Sequence, residues 1–523
     1  MINVLANGCG RLHSGCPAYT LHVTLYALHY LLRLTAIGLL CSACTPHFPS
    51  QAQPEPSLTL AQGEGIVLPP GIAPITFHIP FEGDACRTHI FTASNPQGIV
   101  LRGSEVKPPL KAWHKLLSTA AGDTLFTTFY VRRDGRWMVS APLATPVAAE
   151  PCDSFIAYRL IQPGYVEYER LRICQRTVSD YTEQVIYDNT PYNVSATTGQ
   201  CVNCHSFRDY NRRGDMQLHL RENHAGTLIC RGDDLRKVSL KTDSTRSAGV
   251  YPAWHPTKEL IAYSVNSTGQ AFHTRDQQKV EVIDYGSDLI LYDIDANAVT
   301  SLTDGPDEYE TFPTWSPEGL WLYYTAAHYH QVSDDIDQEL NTGYQRLRYN
   351  IYRRPFNPAD HTFGSRELVY DAAADSLSAA LPRISPDGRW LLFSAAGYGQ
   401  FHIWHKDARL YALDLQHPGE APRRLTDQHA SYHSWSSNGR WILFATRADD
   451  GNYTRLSMAC FSSDGTLSAP LRLPQSDPDH DEQLMLSYNI PEWLAAPVRQ
   501  SRRTLTTLGG ADPAVANYQG QAY

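Results

Sequence analysis

The stretch FPTWSPEGLWLYYT, residues 312–325, decides the fold. An aromatic lead is followed three residues on by Trp315, then by a polar turn holding Pro317 and Gly319, then by an apolar run of strand length. Gly and Pro punctuate the chain where it must reverse, and the run behind them is rich in aromatic residues that suit a pleated, half-buried surface. The same design returns as YPAWHPTKELIAYS at 251–264, LPRISPDGRWLLFS at 381–394 and YHSWSSNGRWILFA at 432–445. Units of this kind cannot bury both faces alone, so they stack into an array. Second-strand candidates lie between them, DLILYDID at 288–295, YNIYRRPF at 349–356 and RLYALDLQ at 409–416, and SLTDG (301–305) and RLTDQ (424–428) mark hand-over points between units. The leads recur at uneven intervals of about 50 to 70 residues, longer than a usual blade, which predicts inserted loops.

The set resembles the WD-repeat-like blades of TolB-type β-propellers, whose mark is a Trp-Ser-Pro-Asp-Gly-like turn opening a strand. The resemblance covers 227–495. It departs at Thr257-Lys258, at Ile384 in place of Trp, and at Ser437-Asn438 in place of Pro-Asp. It implies a C-terminal TolB-like propeller of four to six blades, with residues 226–240 and 455–490 supplying strands beyond the four visible units. The repeated Trp residues are expected in the core.

Residues 71–190 show short alternating runs broken by Gly, Pro and Asp-Gly, and they predict a β-sandwich-like N-terminal domain. Asp134-Gly135 marks a tight hairpin. The chain is thus expected to be mainly β. A formal charge of −10 over 523 residues with no long basic run argues against a nucleic-acid partner.

LTAIGLLCSA at 34–43 is an apolar run after Arg33 that ends in small residues before Cys44, and a Pro/Gln/Ser-rich tether follows to about residue 70. This resembles a lipoprotein signal, which implies residues 1–43 as signal peptide, 44–70 as tether and Cys44 as the lipidated residue, with Cys41 the next choice. Residues 1–33 read as an over-long start. The implied location is the envelope of a Gram-negative bacterium, periplasm or outer membrane, anchored by lipid. In that oxidising compartment disulfides are permitted, but Cys86, Cys152, Cys174, Cys230 and Cys460 form an odd set with no readable connectivity.

CVNCHSF, residues 201–207, carries the sharpest chemical signal. Two thiols two residues apart can reach the two vinyl groups of one porphyrin, and the adjacent imidazole can ligate its iron. Cys201, Cys204 and His205 therefore predict one covalently bound haem c in a segment at 191–226. Met216 and His219, three apart, would face one way on a helix and are the candidates for the distal ligand, Met216 preferred. His224 reads as a hydrogen-bonded loop residue. Two other readings of the motif remain open: a zinc site drawing on Cys230 with His219 or His224, and a Cys201–Cys204 disulfide corner.

CVNCHSF with MQLHLRENHAGT (216–227), AGVYPAWHP (248–256) and NSTGQAFHTRD (266–276) resembles a family of bacterial envelope lipoproteins that join a c-type haem motif to a TolB-like propeller. That resemblance implies architecture more than activity. The leading expectation is an electron carrier whose haem meets an envelope redox or protein partner. The alternatives are a non-enzymatic scaffold that binds a protein or glycan, with CVNCH structural, and a haem sensor or peroxidase. No G-x-S-x-G, H-E-x-x-H or P-loop occurs in the sequence. His273 and Asp276 are expected on an inter-strand loop, DPDHDEQ (477–483) on a charged surface loop, and 496–523 as a polar tail.

Overall fold

In the computed structural model, which describes residues 48–49, 51–58, 63–164, 170–192, 199–276, 278–303, 305–330 and 335–520, the repeat units are the inner strands of a closed β-propeller. The signal run with Cys41 and Cys44 lies outside the described residues. Among those described, six antiparallel sheets follow one another as blades. Their innermost strands are Ser487–Leu494 in blade 1, Gln200–Phe207 in blade 2, Val250–Trp254 in blade 3, Glu308–Trp315 in blade 4, Ser378–Ile384 in blade 5 and Ser431–Trp435 in blade 6.

Blade 1 closes the ring. Its outer strands, Phe155–Ile161, Arg172–Thr177 and Glu183–Asp188, precede blade 2 in the chain, whereas its inner strand follows blade 6. Two consequences correct the sequence reading. The pairing runs across the expected boundary at 190, so residues 155–188 belong to the propeller. Residues 200–222, expected as a separate haem segment between two β modules, are the first two strands of blade 2. A repeat search finds neither, because blade 1 is assembled from segments about 300 residues apart and its outer strands lack the W-S-P-D-G turn.

The N-terminal unit has one main sheet, in the order Gln53–Pro54, Arg136–Val139, Thr124–Arg133, Ala85–Thr92, Ile99–Arg102, with Leu143–Pro146 also paired to Thr124–Arg133. The hairpin at Asp134 and Gly135 takes φ of 51° and 74°, the positive values its tight turn requires. The second layer is a helix, Leu110–Leu117, whose Trp113, Leu116 and Leu117 are buried beside Leu125 and Phe129. That apolar cluster continues into blade 6 through Trp441, Met458 and Leu471. Polar contacts fix the docking: Ser437 N and Oγ donate to the Asp153 carboxylate at 2.7 and 2.6 Å, and Trp441 Nε1 donates to Glu150 O.

The expected polar tail is an ordered strap. Helix Arg502–Gly509 packs on the outer strand of blade 1, Ala514–Val515 runs parallel to the outer strand of blade 2, and Asn517–Tyr518 runs parallel to that of blade 3. It shields edges that would otherwise present unpaired backbone groups. Lys237 is the rivet: its buried Nζ donates to His224 O, Gly509 O and Ala511 O at 2.9, 2.9 and 2.7 Å, which offsets the cost of burying an ammonium.

The inserted loops predicted from the uneven spacing share one face. Each follows the second strand of its blade, which runs antiparallel to the inner strand and so ends where the inner strands begin; this is the upper face. Strands Leu260–Phe272 and Val280–Asp293 of blade 3 continue beyond their sheet as a long hairpin. Blade 4 inserts helix Ile336–Gly343, and blade 5 inserts residues 397–408.

Candidate functional site

Each inner strand carries the same backbone device. At one residue φ turns positive: Cys204 (48°), Tyr251 (49°), Phe312 (54°), Leu381 (56°), Tyr432 (44°) and Ile490 (48°). At that point the register with the second strand shifts. This is a bulge, which takes the positive-φ residue, and in every blade but the sixth the residue after it, out of the ladder and re-aims the side chains around it. Aligned on the bulge, the strands read NCHSF (203–207), VYPAW (250–254), TFPTW (311–315), ALPRI (380–384), SYHSW (431–435) and NIPEW (489–493). His205 therefore stands where four blades have Pro and blade 6 has His433, and Phe207 stands in the Trp column. Sequence reasoning had this signal but masked it by reading residues 201–205 as a motif of their own.

The bulge falls within the residues that the haem reading joins. Cys204, 2% exposed, lies against the Tyr251 amide of blade 3, and His205, 1% exposed, lies beside the Ile490 backbone of blade 1, while the Arg159 guanidinium acts on Cys201, Cys204 and His205 alike. Cys201 lies in an extended ladder opposite Arg221. Burial raises the pKa of both thiols, the reverse of thiol activation. Burial, and then the Arg159 guanidinium, lowers that of His205 to about 3 despite the nearby Ile490 backbone, so it is a neutral imidazole.

The distal candidates separate too. Residues 215–222 form a strand, not a helix, and an odd spacing on a strand puts side chains on opposite faces. Met216, 0% exposed, packs in the apolar core between blades 1 and 2 with Leu218, Leu220 and Cys230. His219 faces the other way, opposite Asn203. Its Nδ1 is 3.1 Å from Thr227 Oγ1, its Nε2 has no partner, and burial followed by Arg221 lowers its pKa to about 3.

A covalently attached haem needs both thiols and the axial imidazole on one side of a slot wide enough for a macrocycle. The donor types are present, but the residues do not fit the group: Cys204 and His205 are buried within a paired inner strand, and Met216 is a core side chain. Nor is any group of three or more His, Cys, Asp or Glu arranged to hold a metal ion among the described residues, which bears on the zinc reading and on 477–483 alike. In the latter stretch Asp479 instead pairs with His78 at 3.1 Å.

A second polar centre, not singled out by sequence, lies under the upper face. Glu281, on the long hairpin of blade 3, accepts from Tyr398 Oη and Gln278 Nε2, both at 2.8 Å, and meets His405 Nε2 at 3.2 Å. Tyr398 and His405 belong to the insertion of blade 5, so the hairpin reaches past blade 4 to touch them. Val280 and Val282 beside Glu281 join the same apolar cluster as Ile403, Tyr432 and Ile490 of blades 5, 6 and 1. His273 and Asp276 lie near the tip of this hairpin, where His273 N donates to Lys279 O and Asp276 Oδ1 accepts from Gln278 N.

No known protein family matches the chain, and neither does any curated protein. Solved structures that resemble it include TolB from Acinetobacter baumannii, at 14% identity and a TM-score of 0.42 over 74% of this chain and 86% of that one. Another is hydrazine synthase from Kuenenia stuttgartiensis, at 11% identity and 0.40, covering 65% of this chain and 46% of that one. Oligogalacturonate lyase from Vibrio parahaemolyticus follows at 10% and 0.31, over 58% and 92%. By its own strand pairing the chain is a six-bladed β-propeller with a docked N-terminal β domain.

Proposed function

We propose that this protein is an exported, lipid-tethered binding propeller that holds an envelope polypeptide or glycan on its upper face, with CVNCHSF serving as the inner strand of a blade. The observation that carries this reading is the gathering of the insertions of blades 3, 4 and 5 on one face, locked together over the axis by buried groups such as Glu281 and His405. Loops positioned by a rigid scaffold are where binding surfaces are built. Phe272, 55% exposed on the hairpin, and Met485, 65% exposed in the loop before the closing strand, offer apolar anchors on that face. What weighs against the electron-carrier reading is that Cys204 and His205 are buried within a bulged, paired inner strand.

The test is site-specific photo-crosslinking in intact cells. A crosslinking residue at Phe272 or Met485 is expected to capture a discrete adduct, whereas one at Leu320, exposed on the turn at the opposite face, is not. Adducts from Leu320 alone, or none from the upper face, would overturn the proposal.

A further inference from the structure

Where the insertions of blades 3, 4 and 5 meet there is a small, largely enclosed cavity. Its polar lining comes from Glu281, Asp284, Tyr344, Tyr349, Tyr398 and Gln400, and the lining residues include no Lys or Arg. The free space at its centre is about 10 Å³, the measure of one water-sized occupant. The polar side-chain atoms around it are oxygens, apart from the amide nitrogen of Gln400, and hard cations take oxygen ligands.

Two features ask for positive charge there. The first is an excess of buried carboxylate. Glu281 and Asp284 are 1% and 2% exposed, and among the described residues the imidazole of His405 is the one basic group bonded to either. Arg246, which acts on Asp284, is itself ion-paired with Asp288. Burial pushes the Asp284 carboxyl up in pKa, although Ser287, Tyr349 and the Gly286 amide all donate to it. Buried charge short of partners is costly. The second feature is independent of charge: Gln400 is 2% exposed and lines the cavity, yet its Oε1 accepts no hydrogen bond. An acceptor sealed from solvent without a donor is rare in a native fold.

We propose that this cavity is a site for one monovalent cation of about the size of water, potassium or ammonium, taken up by Gln400 Oε1 with the carboxylates of Glu281 and Asp284 beside it. Because three insertions contribute the lining, the bound ion ties them together and stiffens the upper face. This site does not depend on what that face binds.

Melting of the full chain is measured at fixed ionic strength in KCl, NH4Cl, NaCl and choline chloride. Potassium or ammonium is expected to raise the midpoint by a few degrees over choline, with sodium weaker, and the near-isosteric Gln400→Leu variant is expected to lose that rise. Identical midpoints in all four salts, or a rise that Gln400→Leu retains, would overturn the site. Thallium(I), a potassium stand-in, supplies a readout that does not rely on a variant folding. With all salts as nitrates, a bound thallium resonance displaced by excess potassium nitrate supports the site, and a free-ion resonance alone contradicts it.

Discussion

The inner strands of blades 2 and 4 share a backbone and differ in what stands on it. In blade 4, Phe312 occupies the positive-φ position, Pro313 follows, and Trp315 closes the strand; in blade 2 the same places hold Cys204, His205 and Phe207. The difference teaches that a short motif takes its meaning from the local backbone. On a helix, C-x-x-C-H would gather its groups; on a bulged strand Cys204 and His205 are buried as part of a blade.

Replacing the Trp of the common design gives the largest expected effect. Trp315→Ala removes a side chain that packs among Ala253, Leu291 and Phe356, and leaves Ala253 O without its 3.1 Å donor. A loss of about 3–5 kcal/mol in urea unfolding is expected, against a smaller loss for Phe207→Ala, whose ring is half-buried. Equal losses would mean that Phe207 is packed as tightly as Trp315, against its half-buried position. At the outer edge of blade 2, Lys237→Met strands three carbonyl oxygens and is expected to cost about 1–3 kcal/mol, with faster proteolysis of the strap from Arg502 on.

His205→Pro turns the comparison into a direct trial. The residue sits at the bulge, outside the ladder, and Pro252, Pro313, Pro382 and Pro491 each follow a positive-φ residue in the same way. The variant should fold with a change of less than about 1.5 kcal/mol, whereas His219→Pro, within the ladder, should lose about 3 kcal/mol or more. Thermal melts of the two side by side settle the matter, and a collapsed His205→Pro would break the equivalence.

The last expected effect is a change of slope with pH. Burial lowers the pKa of His205, His219, His402, His429 and His433 to about 3. Between the ordinary histidine range near 6.5 and that value, the unfolded chain binds protons that the folded chain does not, so stability falls as pH drops through this window. The slope should be shallower in His205→Pro, which removes one of the five. An unchanged slope would show that His205 is not buried neutral.

Much of the fold was legible, because four units keep the aromatic lead, the polar turn and the apolar strand, and a bulge followed by Pro leaves a trace in sequence. Blades 1 and 2 were not, for physical reasons. Blade 1 closes through pairing between residues 155–161 and 487–494, which no local period reports. Blade 2 replaces the conserved-looking aromatic and Pro with Cys204 and His205, so its strand reads as chemistry. The strap was hidden because its strands are two residues each and held by backbone contacts and Lys237 rather than by an apolar pattern. The polar centre at Glu281 joins side chains more than 110 residues apart, and nothing in either segment alone announces the other.

The decisive measurement is the mass of the mature polypeptide after co-expression with the cytochrome c maturation machinery, read beside its pyridine-haemochrome spectrum. An inner strand with Cys204 and His205 buried at its bulge predicts the mass of the unmodified polypeptide and no haemochrome bands. A covalent haem adduct on Cys201 and Cys204 would contradict the account and restore the electron-carrier reading.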